Sequence, residues 1–320
     1  MLPQKVVICG AGFLGSNIAR TLVNSTIGPE RHVQLSSRNP QKIYSSLRDL
    51  VGAPGRLLPP VILDITKPDT MSHAFEGADA VVSLVGIMEG TKKQFEDVQW
   101  KGSENVAHAT KSVGAKLIHF SAITANPESN IPYVRTKGLA EISALRICPD
   151  ATIIRPSLIF GPGDNFFNRF SSLTQFLPFL PVFGGGTSRF QPVYVGDIAQ
   201  AVEILTRNNK EINKSVSGTF IEAGGPEIFT YRELMQLILK YNHRSRAIVS
   251  FPFQIGLLQG MIFEMLPKNP LTVTRAQIEQ LKSDNVVNLS PPPNHKSFKL
   301  LVERHSAPLS SLDDILPTYL

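Results

Sequence analysis

Ser121, Tyr133 and Lys137 are the residues whose types and order could do chemistry, Tyr133 standing twelve positions after Ser121 and Lys137 four after Tyr133. On a helix, positions i and i+4 share a face, so the Lys137 ammonium can approach the Tyr133 phenol and a bound ribose. A nearby cation favours phenolate and lowers a tyrosine from its usual value of about 10 toward acid–base range. Ser121, closing an apolar strand pattern, can hydrogen-bond the carbonyl or hydroxyl that is reduced or oxidised. A Tyr-x-x-x-Lys spacing by itself also arises from a surface tyrosine beside a solvated lysine. The spacing gains meaning from a second feature far upstream.

That feature is Gly10-Ala11-Gly12-Phe13-Leu14-Gly15, set directly after the apolar run Lys5-Val6-Val7-Ile8-Cys9 and before a helical pattern over residues 16–23. A buried strand entering a glycine turn and then a helix is what a dinucleotide pyrophosphate requires. Gly10 allows the tight turn, Gly12 lets backbone approach phosphate oxygens, and Gly15 lets the helix pack close to the strand. Phe13 and Leu14 open the helix, where free N–H groups and the positive dipole end favour an anion. An NAD site usually carries an acid at the end of the second strand to hold the ribose 2′-OH. Here that strand reads His32-Val33-Gln34-Leu35-Ser36-Ser37-Arg38 and ends without one. Ser37 and Arg38 can instead receive a 2′-phosphate through a hydroxyl and a fork-shaped cation, which favours NADP(H) over NAD(H). A solvated arginine at the start of the next helix, over residues 40–50, is the plainer account of Arg38.

The elements that must position these groups alternate. Strand patterns at residues 61–64, 80–86, 116–121 and 151–156 are separated by helical patterns at 70–75, 95–113 and 134–145. Asp64 and Ile65 stand where an adenine edge is often held. Such βαβ alternation implies an α/β fold with a doubly wound parallel (Rossmann) sheet, its ligand lying across the carboxyl ends of the strands. The expected division is a nucleotide-binding core over residues 1–160 and a smaller mixed lobe over 161–320, with sheet-completing elements around 190–240. The length of 320 residues suits that division. Two cysteines give no disulfide framework, and the seven histidines show no metal-ligand spacing. A net charge of +6, spread without basic runs, argues against nucleic acid and leaves contact with an anionic membrane surface open. The first strand begins by Lys5, which leaves no room for a leader ahead of it. The proline-rich stretch Ser290-Pro291-Pro292-Pro293-Asn294 reads as an exposed loop.

With the glycine loop and Ser121, Tyr133 and Lys137 in hand, the chain resembles the short-chain dehydrogenase/reductase superfamily, in its extended or atypical branch. Arg155-Pro156-Ser157-Leu158-Ile159-Phe160-Gly161-Pro162-Gly163-Asp164 is similar to the segment after the sixth strand where backbone meets the nicotinamide. Phe190-Gln191-Pro192-Val193-Tyr194-Val195-Gly196-Asp197 is similar to a later element of that branch. Gln99 stands where that branch often has a relay asparagine, ahead of Gly102 and Asn105. A narrower resemblance joins Ser83-Leu84-Val85-Gly86-Ile87, Asp164-Asn165-Phe166-Phe167-Asn168-Arg169-Phe170, Phe183-Gly184-Gly185-Gly186 and Leu281-Lys282-Ser283-Asp284-Asn285-Val286-Val287. This set resembles the NAD(P)-binding family that includes the alpha-subcomplex subunit 9 of respiratory complex I and a dehydrogenase-like protein of the fungal ubiquinone-biosynthetic complex. The resemblance implies a cofactor contacted also by Val85, Gly86, Tyr133, Lys137 and Pro156. It further implies a place at the matrix face of the mitochondrial inner membrane, within complex I or the ubiquinone-biosynthetic complex, with NADPH in a structural role.

Two function classes stay open. One is an NADPH-bound, largely non-catalytic component supporting ubiquinone synthesis or complex I. The other is an active reductase or epimerase on a hydrophobic or sugar-nucleotide substrate, for which Arg189 is the main candidate clamp on a diphosphate. Residues 166–183 and 251–266 are unusually apolar, and the second run is too short for a confident membrane span. A buried helix accounts for it, and so does a surface for lipid, a polyprenyl tail or a partner subunit.

Overall fold

The computed structural model describes residues 3–263 and 274–320. They fall into two compact units, one formed by residues 1–156, 195–223 and 288–308, the other by 157–194, 224–287 and 309–320. The chain leaves the first unit after Pro156 and returns to it twice.

The first unit is built on one eight-stranded parallel sheet. Its first six strands are β1 (Gln4–Cys9), β2 (Arg31–Ser37), β3 (Leu57–Ile62), β4 (Ala80–Ser83), β5 (Lys116–Phe120) and β6 (Thr152–Pro156). Two further strands, Phe220–Ala223 and His295–Ser297, extend the sheet beyond β6, and every pairing is parallel. The order runs β3, β2, β1, β4, β5, β6, then Phe220–Ala223 and His295–Ser297. The chain therefore winds one way from β1 and the other way from β4, and the crevice between these two neighbours is the topological switch point. Central strands are apolar on both faces because both are covered. Val7, Cys9, Val81 and Leu117 pack with Phe75, Val106 and Ala144. The alternate residues Val6, Ile8 and Val82 are also fully buried.

Three elements differ from expectation. β3 begins at Leu57, four residues before the strand pattern, and contains Pro59 and Pro60. Proline cannot donate to a ladder, but β3 is an edge strand and one side needs no donors. The helix expected from residue 95 starts at Lys92, where Thr91 and Gln94 form a capping box. It then runs as a π-helix over Phe95–Lys101 before the α-helix Gly102–Ser112. Beyond Phe220–Ala223, which falls among the sheet-completing elements expected around 190–240, His295–Ser297 adds an edge strand immediately after the proline-rich stretch.

The second unit surrounds an aromatic core in which Phe166, Phe167, Phe170 and Tyr231 meet ring to ring. Its strands pair in twos, Phe179–Phe183 with Ala247–Phe251 in parallel and Arg189–Phe190 with Phe229–Thr230 antiparallel. The apolar run after Pro252 forms the helix Phe253–Phe263 with its glycines turned inward. A Cβ at Gly256 would lie 2.8 Å from the Phe183 ring, and one at Gly260 2.8 Å from the Arg275 nitrogen. Ile255, Leu258 and Met261 face outward, each about half exposed. The helix is thus not the wholly buried one that its composition suggests. Glu264, Met265 and Leu266, the end of that run, lie outside the described residues. Among those described, no helix is long and apolar enough to cross a membrane.

Candidate functional site

The turn from β1 into the helix α1 (Phe13–Asn24) assigns three different jobs to its glycines. Gly10 has φ +138°, a conformation that favours glycine, and a Cβ there would stand 3.0 Å from Cβ of Leu84 after β4. A Cβ at Gly15 would come within 1.8 Å of the Gly10 carbonyl oxygen, so the helix can lie this close to the turn only without a side chain. At Gly12 a Cβ would meet no atom within 4 Å. Gly12 is also the helix N-cap, with no capping side chain and no acid in the first turn. The first-turn N–H groups, those of Phe13 and Leu14 among them, have no intrahelical acceptor.

On one side of the turn lie the ends of β2 and β3. Ser37 is partly buried and its Oγ accepts from Asn39 N at 3.3 Å, while Arg38 is exposed. Asp64 Oδ1 accepts from Thr66 Oγ1 at 2.8 Å and Thr66 N at 3.0 Å. These bonds hold the carboxyl below its usual range, with smaller help from the charges of Lys67 and Arg38. Asn105 Nδ2 donates to Ile65 O at 2.9 Å and fixes that carbonyl. Beside them a cavity of about 390 Å³ is lined by Thr66, Gln94, Asp97, Val98, Lys101 and Asn105.

On the other side, Lys137 gathers much of what the sequence singled out. It sits on the helix Pro132–Ile147, fully enclosed, and its Nζ donates to Val85 O and Phe120 O at 2.9 Å each. A Cβ on Gly86 would lie 3.2 Å from Nζ. Val85, Gly86, Lys137 and the end of β5 carrying Ser121 therefore share one spot. Burial lowers the Lys137 ammonium to about 8, opposed by the Glu141 carboxylate. Ser121 is buried and its Oγ has no hydrogen-bond partner. Pro156, ending β6, accepts from Ile123 N at 3.2 Å in the loop that follows Ser121.

Tyr133 corrects an expectation. A lysine one turn away was to lower its phenol, yet desolvation pushes the phenol up to about 12. Two of the three Lys137 protons go to backbone carbonyls, and burial outweighs the remaining attraction. The Tyr133 ring packs edge-on against Phe95 of the π-helix, with centroids 6.3 Å apart. Gln99, at the relay position, is fully buried. Its Nε2 donates to Tyr133 O at 2.8 Å and Thr136 Oγ1 at 3.0 Å, and its Oε1 accepts from Ile87 N at 3.4 Å. The side chain ties three segments together instead of holding a proton path. Arg189, the proposed diphosphate clamp, belongs to the second unit, where Asp284 binds its Nε at 2.8 Å and Nη2 at 2.7 Å.

Sequence reasoning passed over two groups. His119, on β5, has Nδ1 3.3 Å from Ser83 Oγ and an unpartnered Nε2. Burial, aided by the Lys137 charge, keeps it neutral by lowering it to about 3. Glu141 stands four residues beyond Lys137 on the same helix face and grips Arg155 with both oxygens at 2.7 Å. The i, i+4 spacing from Tyr133 through Lys137 to Glu141 was the available signal.

With this geometry, residues 6–217 match the model of the NAD dependent epimerase/dehydratase family. The chain is 29% identical over 288 residues to the NADH dehydrogenase [ubiquinone] 1 alpha subcomplex subunit 9, mitochondrial, of Arabidopsis thaliana, covering 88% of this chain and 68% of that protein. It is 30% identical over 204 residues to a ceramide reductase of Caulobacter vibrioides, covering 63% of this chain and 61% of that one. A dTDP-glucose 4,6-dehydratase from Streptomyces venezuelae, solved with NAD bound, superposes with a TM-score of 0.68 at 17% identity, over 98% of this chain and 95% of that one. At that identity the likeness concerns the fold.

Proposed function

The chain belongs to the NAD dependent epimerase/dehydratase family, and from that premise we propose that it is an NADP(H)-binding component of a mitochondrial inner-membrane assembly in which the nucleotide is chiefly structural. The observation that carries the nucleotide is the contrast within the glycine turn: Gly10 and Gly15 are closed in by protein, while Gly12 faces open space at an uncapped helix N-terminus. Pyrophosphate fits there, with Asp64, Ile65 and the adjoining cavity toward the adenine, and Lys137 and Ser121 toward the nicotinamide ribose. The end of β2, with Ser37 and Arg38 and no acid, favours a 2′-phosphate.

The structural role is supported by Tyr133. A phenol raised to about 12 is a poor proton shuttle near neutral pH. The mitochondrial setting rests on the relative named as an alpha subcomplex subunit 9. A bound nicotinamide supplies a hydride donor or acceptor, so a second function has its own support. The buried, unpartnered Ser121 hydroxyl is suited to a substrate carbonyl, and one relative is named a ceramide reductase. In that second function the protein is an NADPH-dependent reductase of an apolar substrate.

The test is the nucleotide that the purified protein carries and prefers. NADP(H) should be released on denaturation, and the protein should oxidise NADPH no faster than buffer when quinones or long-chain ketones are added. Removing one charge-assisted contact to the 2′-phosphate costs about 1.5–3 kcal/mol. Arg38→Ala should therefore weaken NADPH by that amount and leave NADH nearly unchanged in isothermal titration. Equal losses for both, or tighter NADH binding by the parent protein, would refute the 2′-phosphate contact.

A further inference from the structure

Behind Lys137 lies a buried set of charges that the nucleotide proposal does not use. Tyr133, Lys137 and Glu141 stand at i, i+4 and i+8 on the helix Pro132–Ile147, and Glu141 is buried. Arg155, on β6, donates from Nε and Nη2 to the two Glu141 oxygens, and its Nη1 lies 3.7 Å from Glu222 Oε1 on the neighbouring strand. Glu222 Oε2 also accepts from Asn288 N at 2.8 Å. The guanidinium rests over the Phe220 ring, 4.4 Å from its centroid, which seals the cluster from water on that side. His295, on the edge strand, lies 3.5 Å from Glu222 Oε1, and burial keeps it from protonating readily. Glu141, Arg155 and Glu222 together therefore carry one net negative charge, with Lys137 one turn from Glu141 and neutral His295 beside Glu222.

We propose that the Glu141–Arg155–Glu222 cluster is a positioning device that holds Lys137 as an ammonium between the Val85 and Phe120 carbonyls, with Glu141 supplying the nearest negative charge and Glu222 offsetting the arginine that fixes it. Its functional sense rests on Lys137 being a nucleotide-site lysine. An enclosed ammonium whose donors meet only neutral carbonyls sheds its proton unless a nearby negative charge keeps it. Glu141, one turn along the helix, provides that charge, but both its oxygens also bind Arg155, whose positive charge works against it. Glu222 offsets the arginine and restores the excess. The arrangement leaves Lys137 charged at neutral pH.

The experiment is an NMR titration of the lysine Cε signals in nucleotide-free protein labelled with ¹³C-lysine, the Lys137 signal being assigned by its loss in Lys137→Met. Glu141→Gln should lower the Lys137 midpoint by roughly one pH unit or more, and Glu222→Gln should lower it by less in the same direction. Arg155→Gln, which removes a cation, should raise it. A purely structural role predicts something different: any loosening lets water reach the amine and raises its midpoint in all three variants. Glu222→Gln keeps an acceptor for Asn288 N and is the variant best placed to fold. A midpoint in it that is unchanged or raised overturns the proposal. NADPH titration of the same samples separates the two proposals. Expected midpoint shifts in a protein that binds no nicotinamide nucleotide would uphold the charge cluster and refute the nucleotide site.

Discussion

Gly12 and Gly15 sit three residues apart and should respond to a methyl group in different ways. At Gly12 the methyl meets no protein atom within 4 Å, so Gly12→Ala should fold with an unchanged melting temperature. It should nevertheless lose at least tenfold in NADPH affinity, about 1.4 kcal/mol, because the methyl fills the space left for phosphate. At Gly15 the Cβ would lie 1.8 Å from a carbonyl oxygen, and relief of that overlap must shift backbone. Gly15→Ala should therefore destabilise the fold by about 1–3 kcal/mol whether or not nucleotide is present. Thermal unfolding with and without NADPH distinguishes the two; a Gly12 variant with parental affinity would contradict the site. Lys137 adds a pH dependence. Its folded value of about 8 lies below the roughly 10.4 of a free lysine. The ammonium is thus present below pH 8 and lost above it, and NADPH affinity should fall severalfold from about pH 7 to pH 9.5 as charge assistance disappears. In Lys137→Met affinity should be weak and flat across that range. The packing roles of Gly10 and Gly15 were legible in the sequence because spacing alone fixes where a strand, a turn and a helix must approach. The state of Tyr133 was not, because its burial is decided by Phe95 and the Gln99 tie, which come from another segment.

At the scale of elements, the π-helix Phe95–Lys101 is the piece that aligns the helix of Tyr133 and Lys137. Its buried Gln99 side chain reaches both neighbours, Ile87 N on one side and Tyr133 O with Thr136 Oγ1 on the other. Gln99→Leu keeps volume and removes all three bonds, leaving a partly buried N–H and a partly buried C=O without that partner. The cost should be about 1–3 kcal/mol in chemical denaturation, with NADPH affinity falling as the helix start loosens. Gln99→Asn, too short by one methylene, should recover only part of that loss, and full recovery would show that the geometry is less demanding than it looks. The βαβ order was readable because buried parallel strands write themselves as runs such as Val81-Val82-Ser83 and Leu117-Ile118-His119. The first four residues of β3 and one whole strand escaped for physical reasons. Pro59 and Pro60 mask β3, since a strand tolerates them only at an edge and edges are decided by the whole sheet. The strand His295–Ser297 is three residues long and forms only because Phe220–Ala223 offers it a free edge.

For the whole molecule the question is whether nucleotide serves as reagent or as part of the fold. A ligand that binds only the folded chain stabilises it by RT ln(1 + [L]/Kd), about 2.7 kcal/mol at one hundred times Kd. Marginal stability makes that amount large enough to set how much protein survives in a cell. Tyr133→Phe keeps the ring against Phe95 and removes only the hydroxyl, so it should leave NADPH affinity, melting temperature and protein level close to parental. If nucleotide is structural, cells carrying Tyr133→Phe should keep normal ubiquinone content and normal assembly of the inner-membrane complex. Cells carrying Gly12→Ala should lose both, together with protein abundance, because the stabilising ligand no longer binds. If the protein is instead a reductase, the two variants reverse in one respect: Tyr133→Phe abolishes the cellular function at normal protein level. Ser121→Ala sharpens the separation. Its hydroxyl has no partner among the described residues, so its removal should cost the fold almost nothing and should matter only where a substrate carbonyl is bound there. Loss of ubiquinone in both Ser121→Ala and Tyr133→Phe strains, with protein and bound NADPH intact, would establish an enzyme and displace the structural role.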